Sequence, residues 1–423
     1  MKNPGFNFEN TYRNLPKYFF SELKPDIVTN PSLVILNKDL CEEIDLDFQG
    51  FSNIEISSLL SGNSFLTNTN SFSQAYAGHQ FGHFTNLGDG RALMLGEHIT
   101  KSGKRLDIQF KGSGPTPYSR QGDGKAVLGP MLREYIISEA MNSLDIPTTR
   151  SLAVVKTGEN ILRETFLPGA ILTRVASSHI RGGTFQYAAA SNKKVLLERL
   201  FDYTIKRHYP EILNLKDKAL NLINLVLKKQ IDLVVDWMRV GFIHGVMNTD
   251  NVTLSGETID YGPCAFMDNF NMSTVFSSID RQGRYAFGNQ PIIVQWNIAR
   301  FAESLLPLIS EDPKEGIKPA EEIIKNFSKL YKNSWLKMMK NKLGISGEDK
   351  EDNNIVNDLL SLMEKNSVDF TNTFSDLTHE KLSDGSFYQT KDFKIWHKKY
   401  RNRLKNAPLD KKDSFNLMRK NNP

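Results

Sequence analysis

Residues 242–263 read FIHGVMNTDNVTLSGETIDYGP, and the interpretation of the chain turns on them. The stretch sets Asp250 and Asp260 on either side of a short strand-turn-strand, with Asn251 beside the first. Magnesium takes hard oxygen ligands, usually one or two protein groups alongside phosphate oxygens and water, so an amide oxygen and a carboxylate meeting at a turn suit it. Asp250 then remains to accept a proton from an attacking hydroxyl. A plain Gly/Asn/Asp-rich hairpin with exposed polar side chains has the same spacing, so the flanking sequence must decide.

Immediately upstream, Leu220, Ile223, Leu227, Ile231, Val234 and Met238 form one helical stripe ending at Gly241, a C-terminal cap. Earlier, from Phe65, glycine becomes dense, and 92–96 and 105–110 are strand-like around a KSGK hairpin, predicting an antiparallel sheet. In RLDIQFK the apolar Leu106, Ile108 and Phe110 alternate with Asp107, Gln109 and Lys111, which puts Lys111 on the face opposite the core and open to a ligand. Gly129-Pro130 opens a helix with Leu132, Ile136, Ala140 and Leu144 as its buried ridge, while Glu134 and Glu139 point elsewhere. Two more strand-like segments, 152–155 and 161–166, flank a turn at KTGEN. Arg174 and Arg181 are seven apart, so two turns of helix would set both guanidinium groups on one face. Residues 1–64 read as an extended stabilising arm with one or two short elements.

Downstream, helical stripes cover 291–309, 320–339 and 355–363, and 346–354 is an exposed acidic loop. Phe393, Trp396, Tyr400 and Leu404 mark a last amphipathic helix whose basic face reads as solvated surface.

The whole-chain totals narrow the function class. The chain has 423 residues, 39% hydrophobic and 24% charged, and a formal charge of +5, too small an excess for a nucleic-acid binder of this length. Its two cysteines, Cys41 and Cys264, lie far apart in no Cys/His cluster, so neither a disulfide framework nor a structural zinc site is supported. The first twenty residues match no signal or transit peptide. The longest apolar run considered, 220–238, is broken by Lys228, Lys229, Asp232 and Asp236, so no membrane span is expected. A cytoplasmic protein follows.

A strand-rich, glycine-rich first part, a helix with a glutamate, then a helical part carrying a carboxylate loop is the order of a protein kinase. The expected fold is α+β and bilobal, kinase-like, with an N-terminal extension at 1–64, a strand-rich N-lobe at 65–187 and a helical C-lobe at 188–423. Lys111 would bind phosphate, held by Glu134, and the glycine runs NLGDGRA and SRQGDGKA would let backbone amides approach it. Singly, each of these is as well explained by a surface lysine or an ordinary turn.

QAYAGHQFGHFTNLGDGRA, the run LDIQFKGSGPTPYSRQGDGKAVLGPMLREYIISEAMNSLDIPTTRSLAVV, TRVASSHIRGGTFQ, HGVMNTDN, IDYGPCAFMD and GRYAFGNQPIIVQWNIARFAESL, in that order, resemble the selenoprotein O family, the bacterial YdiU group. The resemblance implies a protein-kinase-like fold and a protein adenylyltransferase that moves AMP from ATP to Ser, Thr or Tyr hydroxyls, with the nucleotide flipped relative to kinases. Carried over by motif, Asp250 resembles the general base, and Asn251 and Asp260 resemble the ligands of Mg2+ or Mn2+. Gly88, Gly90, Arg91, Lys111, Asp123, Gly124, Arg174 and Arg181 resemble the ATP contacts, with Glu134 pairing the lysine. Protein substrates and self-modification are implied, and neither nucleic acid nor membrane partners. Transfer of UMP from UTP with manganese, or a catalytically silent nucleotide-binding scaffold, are the alternatives. Asn251 is adjacent to Asp250, whereas a kinase asparagine stands five residues after its aspartate, and no HRD occurs. The family continues past MRKNNP into a helical segment and a tail with selenocysteine or cysteine, so the chain reads as C-terminally truncated.

Overall fold

A computed structural model describes residues 2–64, 69–382 and 386–422, so the expected lobe boundary at Phe65 lies outside the described residues. The chain forms two compact units. One comprises Met1–Val226, Asn248–Gly262 and Asn297–Glu321, and the other Leu227–Met247, Pro263–Trp296 and Glu322–Pro423. The class is α+β, strand-rich in the first half and helical in the second, as expected.

The first unit is built on an antiparallel sheet. Its strands, in chain order, are β1 (Phe8–Glu9), β2 (Phe20–Glu22), β3 (Ser32–Leu36), β4 (Phe72–Gln74), β5 (Ala77–Gln80), β6 (His83–Asn86), β7 (Ala92–Ile99), β8 (Arg105–Lys111), β9 (Arg150–Leu162) and β10 (Phe166–Ala176). The sheet order is β2-β4-β7-β8-β10-β9-β3 with β1 on β7, and β5-β6 is a separate hairpin. The KSGK turn joins β7 and β8, closed by Thr100 N–H to Lys104 O at 3.0 Å with Gly103 at φ +81°. KTGEN is not a turn. It lies inside β9, and the reversal comes at 163–165, so that Leu162 faces Phe166.

The first 64 residues do more than wrap. They supply β1, β2 and β3 to the sheet, and the helices α1 (Lys38–Glu43) and α2 (Asn53–Ser61) cover one of its faces. Ser52 and Glu55 form a capping box at the start of α2, satisfying orphan amides there. Leu40, Ile44, Ile56 and Leu60 pack against Leu106, Ile108 and Phe110 in one buried cluster. Each such side chain contributes roughly 1.5–3 kcal/mol on leaving water.

On the opposite face a smaller apolar cluster joins Met131 of α3 (Leu128–Ser143) to Val154, Ala170 and Leu172. The ridge expected of α3 is corrected. Its fully buried residues are Met131, Glu134, Ser138 and Met141, while Ile136 is 61% exposed. A carboxylate enters a buried helix face only where a cation receives it, and Lys111 and Arg174 do so here.

In the second unit, Phe242–Ile243 pairs with Ala265–Phe266, beyond the stretch expected to contain both strands. The helix Lys218–Arg239 ends at Gly241, φ +70°, as its stripe predicts. The 320–339 stripe breaks at Asn326 between the helices Pro313–Lys325 and Phe327–Lys342. Asp352, placed by the sequence in an exposed loop, is buried and shared by Lys340 at 2.7 Å and Arg403 at 2.7 Å. One stretch among the described residues, Phe287–Ile309, is long and apolar enough to cross a membrane by length and composition, with mean hydropathy 1.2. It exceeds the 220–238 run because only Arg300 and Glu303 interrupt it.

Candidate active site

The site lies within the first unit, where β8, α3, β10, the next helix and the turn at 249–251 converge. Strand pairing begins it. Gln109 stands opposite Arg174 and Lys111 opposite Leu172, so the polar alternates of β8 and the arginine of β10 share a face. That face is closed, not open as the alternation suggested, with Lys111 only 5% exposed. Lys111 Nζ donates to Glu134 Oε2 at 2.6 Å and to Asp260 Oδ1 at 2.7 Å. Arg174 donates to Gln109 Oε1 through Nε at 3.1 Å and through Nη1 to Glu134 Oε1 at 3.2 Å and Asp260 Oδ1 at 2.7 Å.

Arg174 and Arg181 do not share a helix. The first is in β10 and the second caps α4 (Gly182–Ala190), with the chain turning between them. They meet nonetheless, because Arg181 Nη1 donates to Asp260 Oδ2 at 2.9 Å. It also donates to Asp250 O at 3.0 Å, and its guanidinium lies 4.5 Å from the centre of the Tyr76 ring. Asp260 thus receives three cations, from a main chain held at φ +61°, a conformation Asp tolerates better than most residues. Burial alone would raise its pKa, but Lys111, Arg174 and Arg181 hold it well below the usual carboxylate range.

Asp250 is treated oppositely. It sits in the single turn Thr249–Asn251, and its Oδ1 is buried with no hydrogen-bond partner among the described residues. Burial pushes its pKa up to about 6, against the opposing pull of Arg181. Two carboxylates ten residues apart are therefore driven in opposite directions, the pattern that separates a proton acceptor from a fixed anion.

Several neighbours carry no signal the sequence reading used. The β5-β6 hairpin covers the turn, with Gly78 so close that an added Cβ would stand 2.1 Å from Asp250 Oδ1. His79 N–H donates to Thr249 Oγ1 at 2.7 Å, Thr249 donates to Gln186 Oε1 at 2.8 Å, and Phe81 N–H donates to Asn248 Oδ1 at 3.1 Å. Asp89, within the LGDGR run already singled out, is buried 3.7 Å from Arg181 and accepts from Gln74 N–H and Gln109 Nε2. Burial raises its pKa.

The remaining sequence-predicted positions stand apart from this cluster. Arg91 is exposed and has no ion-pair partner among the described residues. Asp123 is exposed and bound to Arg163 at 2.8 Å. Gly88 and Gly90 lie against Tyr118, where a Cβ would come within 2.4 and 2.8 Å. Gly124, φ +64°, faces Gly114 O at 2.1 Å from where its Cβ would be, so a tight loop closure accounts for that glycine.

Among the described residues no group of three His, Cys, Asp or Glu could hold a metal alone. The orphaned Asp250 oxygen and Asn251, next to it in the turn, offer the hard oxygens a divalent cation takes, whereas both Asp260 oxygens already accept from Lys111, Arg174 and Arg181 and would have to exchange one of them for a metal.

The sequence model of the family described as "Protein adenylyltransferase SelO" matches residues 4–423. The chain belongs to the SelO family. Two SelO-type relatives are each named protein nucleotidyltransferase YdiU. That of Pelagibacter ubique is 56% identical over 99% of this chain and 87% of its own length, and that of Nitrosococcus oceani is 55% identical over 99% and 85%. The SelO family is thus one of protein nucleotidyltransferases. A solved structure, ROP2 from Toxoplasma gondii, described as a virulence factor with a protein-kinase fold and no enzymatic activity, is 8% identical at a TM-score of 0.28, covering 80% of this chain and 88% of that one.

Proposed function

We propose that this chain transfers AMP from ATP to Ser, Thr or Tyr hydroxyls of proteins and releases pyrophosphate. The observation carrying the proposal is the pairing of a buried Asp250 carboxylate, its Oδ1 without a hydrogen bond, with an Asp260 gripped by Lys111, Arg174 and Arg181. In this reaction the hydroxyl oxygen bonds to the α-phosphorus as the α,β-bridging bond breaks, the hydroxyl proton passes to Asp250, and pyrophosphate departs. A carboxyl near pKa 6 is ionised at neutral pH yet basic enough to take that proton. Lys111, Arg174 and Arg181 supply the cations that oppose charge developing on the leaving group, and burial strengthens each of them. Magnesium or manganese on Asn251 and Asp260 would neutralise phosphate charge when bound. Glu134 and Asp89 hold the lysine and arginines in place.

The test is intact mass spectrometry after incubation with ATP and either metal. An AMP-sized adduct on the chain or a protein substrate is expected, and a phosphate-sized one overturns the proposal. The relatives' shared name leaves the base open. UTP run in parallel decides it, with a UMP-sized adduct alone favouring uridylyl transfer. If nothing is transferred while ATP still raises thermal stability, the chain is a nucleotide-binding scaffold.

A further inference from the structure

We propose that the cleft among the helices Phe370–His379, Lys391–Lys405 and Lys411–Asn421 is a docking site for an acidic, apolar-studded segment of a protein. Charge is the first observation. Residues 391–423 hold eleven Lys and Arg against three Asp, a net +8, so with +5 overall the preceding 390 residues are net −3. The chain's whole positive excess is therefore in its last two helices.

The cleft's shape is the second. It encloses about 960 Å³, a volume that holds several side chains of a partner. Its floor is apolar, from Leu377, Tyr400, Leu404 and Phe415, and its rim carries Lys381, Arg401, Lys411 and Lys412. Arg401 Nη1 and Lys411 Nζ close on one carboxylate, that of Glu380, at 2.8 and 3.2 Å. Glu380 ends its helix at φ +55°, a left-handed conformation that costs a non-glycine residue roughly 1–2 kcal/mol. The rim thus already binds a carboxylate over an apolar floor. Lys381 and Lys412 are exposed and have no ion-pair partner among the described residues, so they remain for a carboxylate from outside.

Nucleic acid fits less well. The exposed rings of the cleft, His379 and Phe415, pack edge-on against each other with centroids 6.0 Å apart, and do not lie open as a stacking platform for successive bases. An acidic protein segment matches both charge and floor. Calling that protein a substrate rests on the proposed function, but the cleft itself does not.

The experiment is fluorescence anisotropy with a labelled short peptide alternating Glu with Leu and Phe, titrated with the full chain. Binding is expected, weakening as salt rises. The double variant Lys381→Glu, Lys412→Glu should bind at least ~tenfold more weakly with unchanged circular dichroism, since both lysines are exposed and unpaired. Asp250→Asn should bind the peptide as the parent does, so failure of the nucleotidyl-transfer proposal and failure of the cleft are separately visible. Four results overturn the proposal: equal binding by the double variant, equal binding of a Gln-for-Glu peptide, tighter binding of a single-stranded oligonucleotide, or self-association of the chain abolished by the double variant.

Discussion

Replacing Gly78 with alanine should disable the site without unfolding the chain. The added Cβ would stand 2.1 Å from Asp250 Oδ1 and 2.7 Å from its Cγ, whereas ordinary contact begins near 3.4 Å, so the two must part by about 1.3 Å. The strand has little freedom to move away. On one side Gly183 is packed so closely that its own Cβ would meet Ala77 O at 1.9 Å, and on the other His79 N–H is bound to Thr249 Oγ1 at 2.7 Å. The Asp250 side chain is then the group that gives way. Overpacking of this kind costs ~1–3 kcal/mol of stability, and a displacement near 1 Å at a reacting group lowers the rate about 10²-fold. Transfer of label from ATP to protein, measured beside a urea denaturation curve, reads both quantities. A Gly78→Ala enzyme within about twofold of the parent rate would refute the placement of Asp250 under the hairpin.

Asp250→Asn should abolish transfer and, in chelator at pH 8, stabilise the chain. The folded pKa of about 6 against 3.8 means that ionisation above pH 6 costs ~3 kcal/mol, of which an unpartnered amide returns ~1, and the difference should vanish near pH 4 in thermal melts. Acid should destabilise the Asp250→Asn variant in two stages, whereas in the parent the protonation of Asp250 between about pH 6 and 4 offsets the first of them. Burial lowers His179 to about 4, so the unfolded state binds the extra proton below pH 6.5 and ~3 kcal/mol is lost by pH 4. Burial works against ionised Asp107, but Arg207 and His179 outweigh it and hold the carboxyl at about 2, which extends the loss below pH 3.8, and a urea series at falling pH measures both stages. Arg174→Met should cost ~3–5 kcal/mol in the same assay, because Glu134 and Asp260 lose a buried cation. Arg91→Ala should change stability by less than ~0.5 kcal/mol, and weaker ATP binding by that variant in calorimetry would make the exposed arginine a nucleotide contact.

Much of the site could be read from the chain because its residues sit in strand alternation and in long motifs. The period of two in RLDIQFK correctly sets Lys111 across the sheet from Leu106, Ile108 and Phe110. It could not tell that the polar face is itself enclosed, since α3 and β10 lie 17 or more residues further along the chain and close it only after folding. Spacing misled at Arg174 and Arg181, where seven residues fit two helical turns. The first follows a β-branched, apolar run that pairs with β8, so the two converge from a strand end and a helix start. In α3 the apolar i,i+4 ridge lost to a face of Met131, Glu134, Ser138 and Met141, which can turn inward because Lys111 and Arg174 receive the Glu134 carboxylate there. Gly78 and Asp89 gave no periodic signal at all. The need for each arises from one close approach, by Asp250 and by Arg181.

Transfer of the α-phosphoryl group with its nucleoside is read out by parallel labelling with ATP carrying the radiolabel at the α or the γ position. Label on protein is expected from the α position only, with pyrophosphate released in equal amount and no label with Asp250→Asn. Label from the γ position on protein would contradict that transfer.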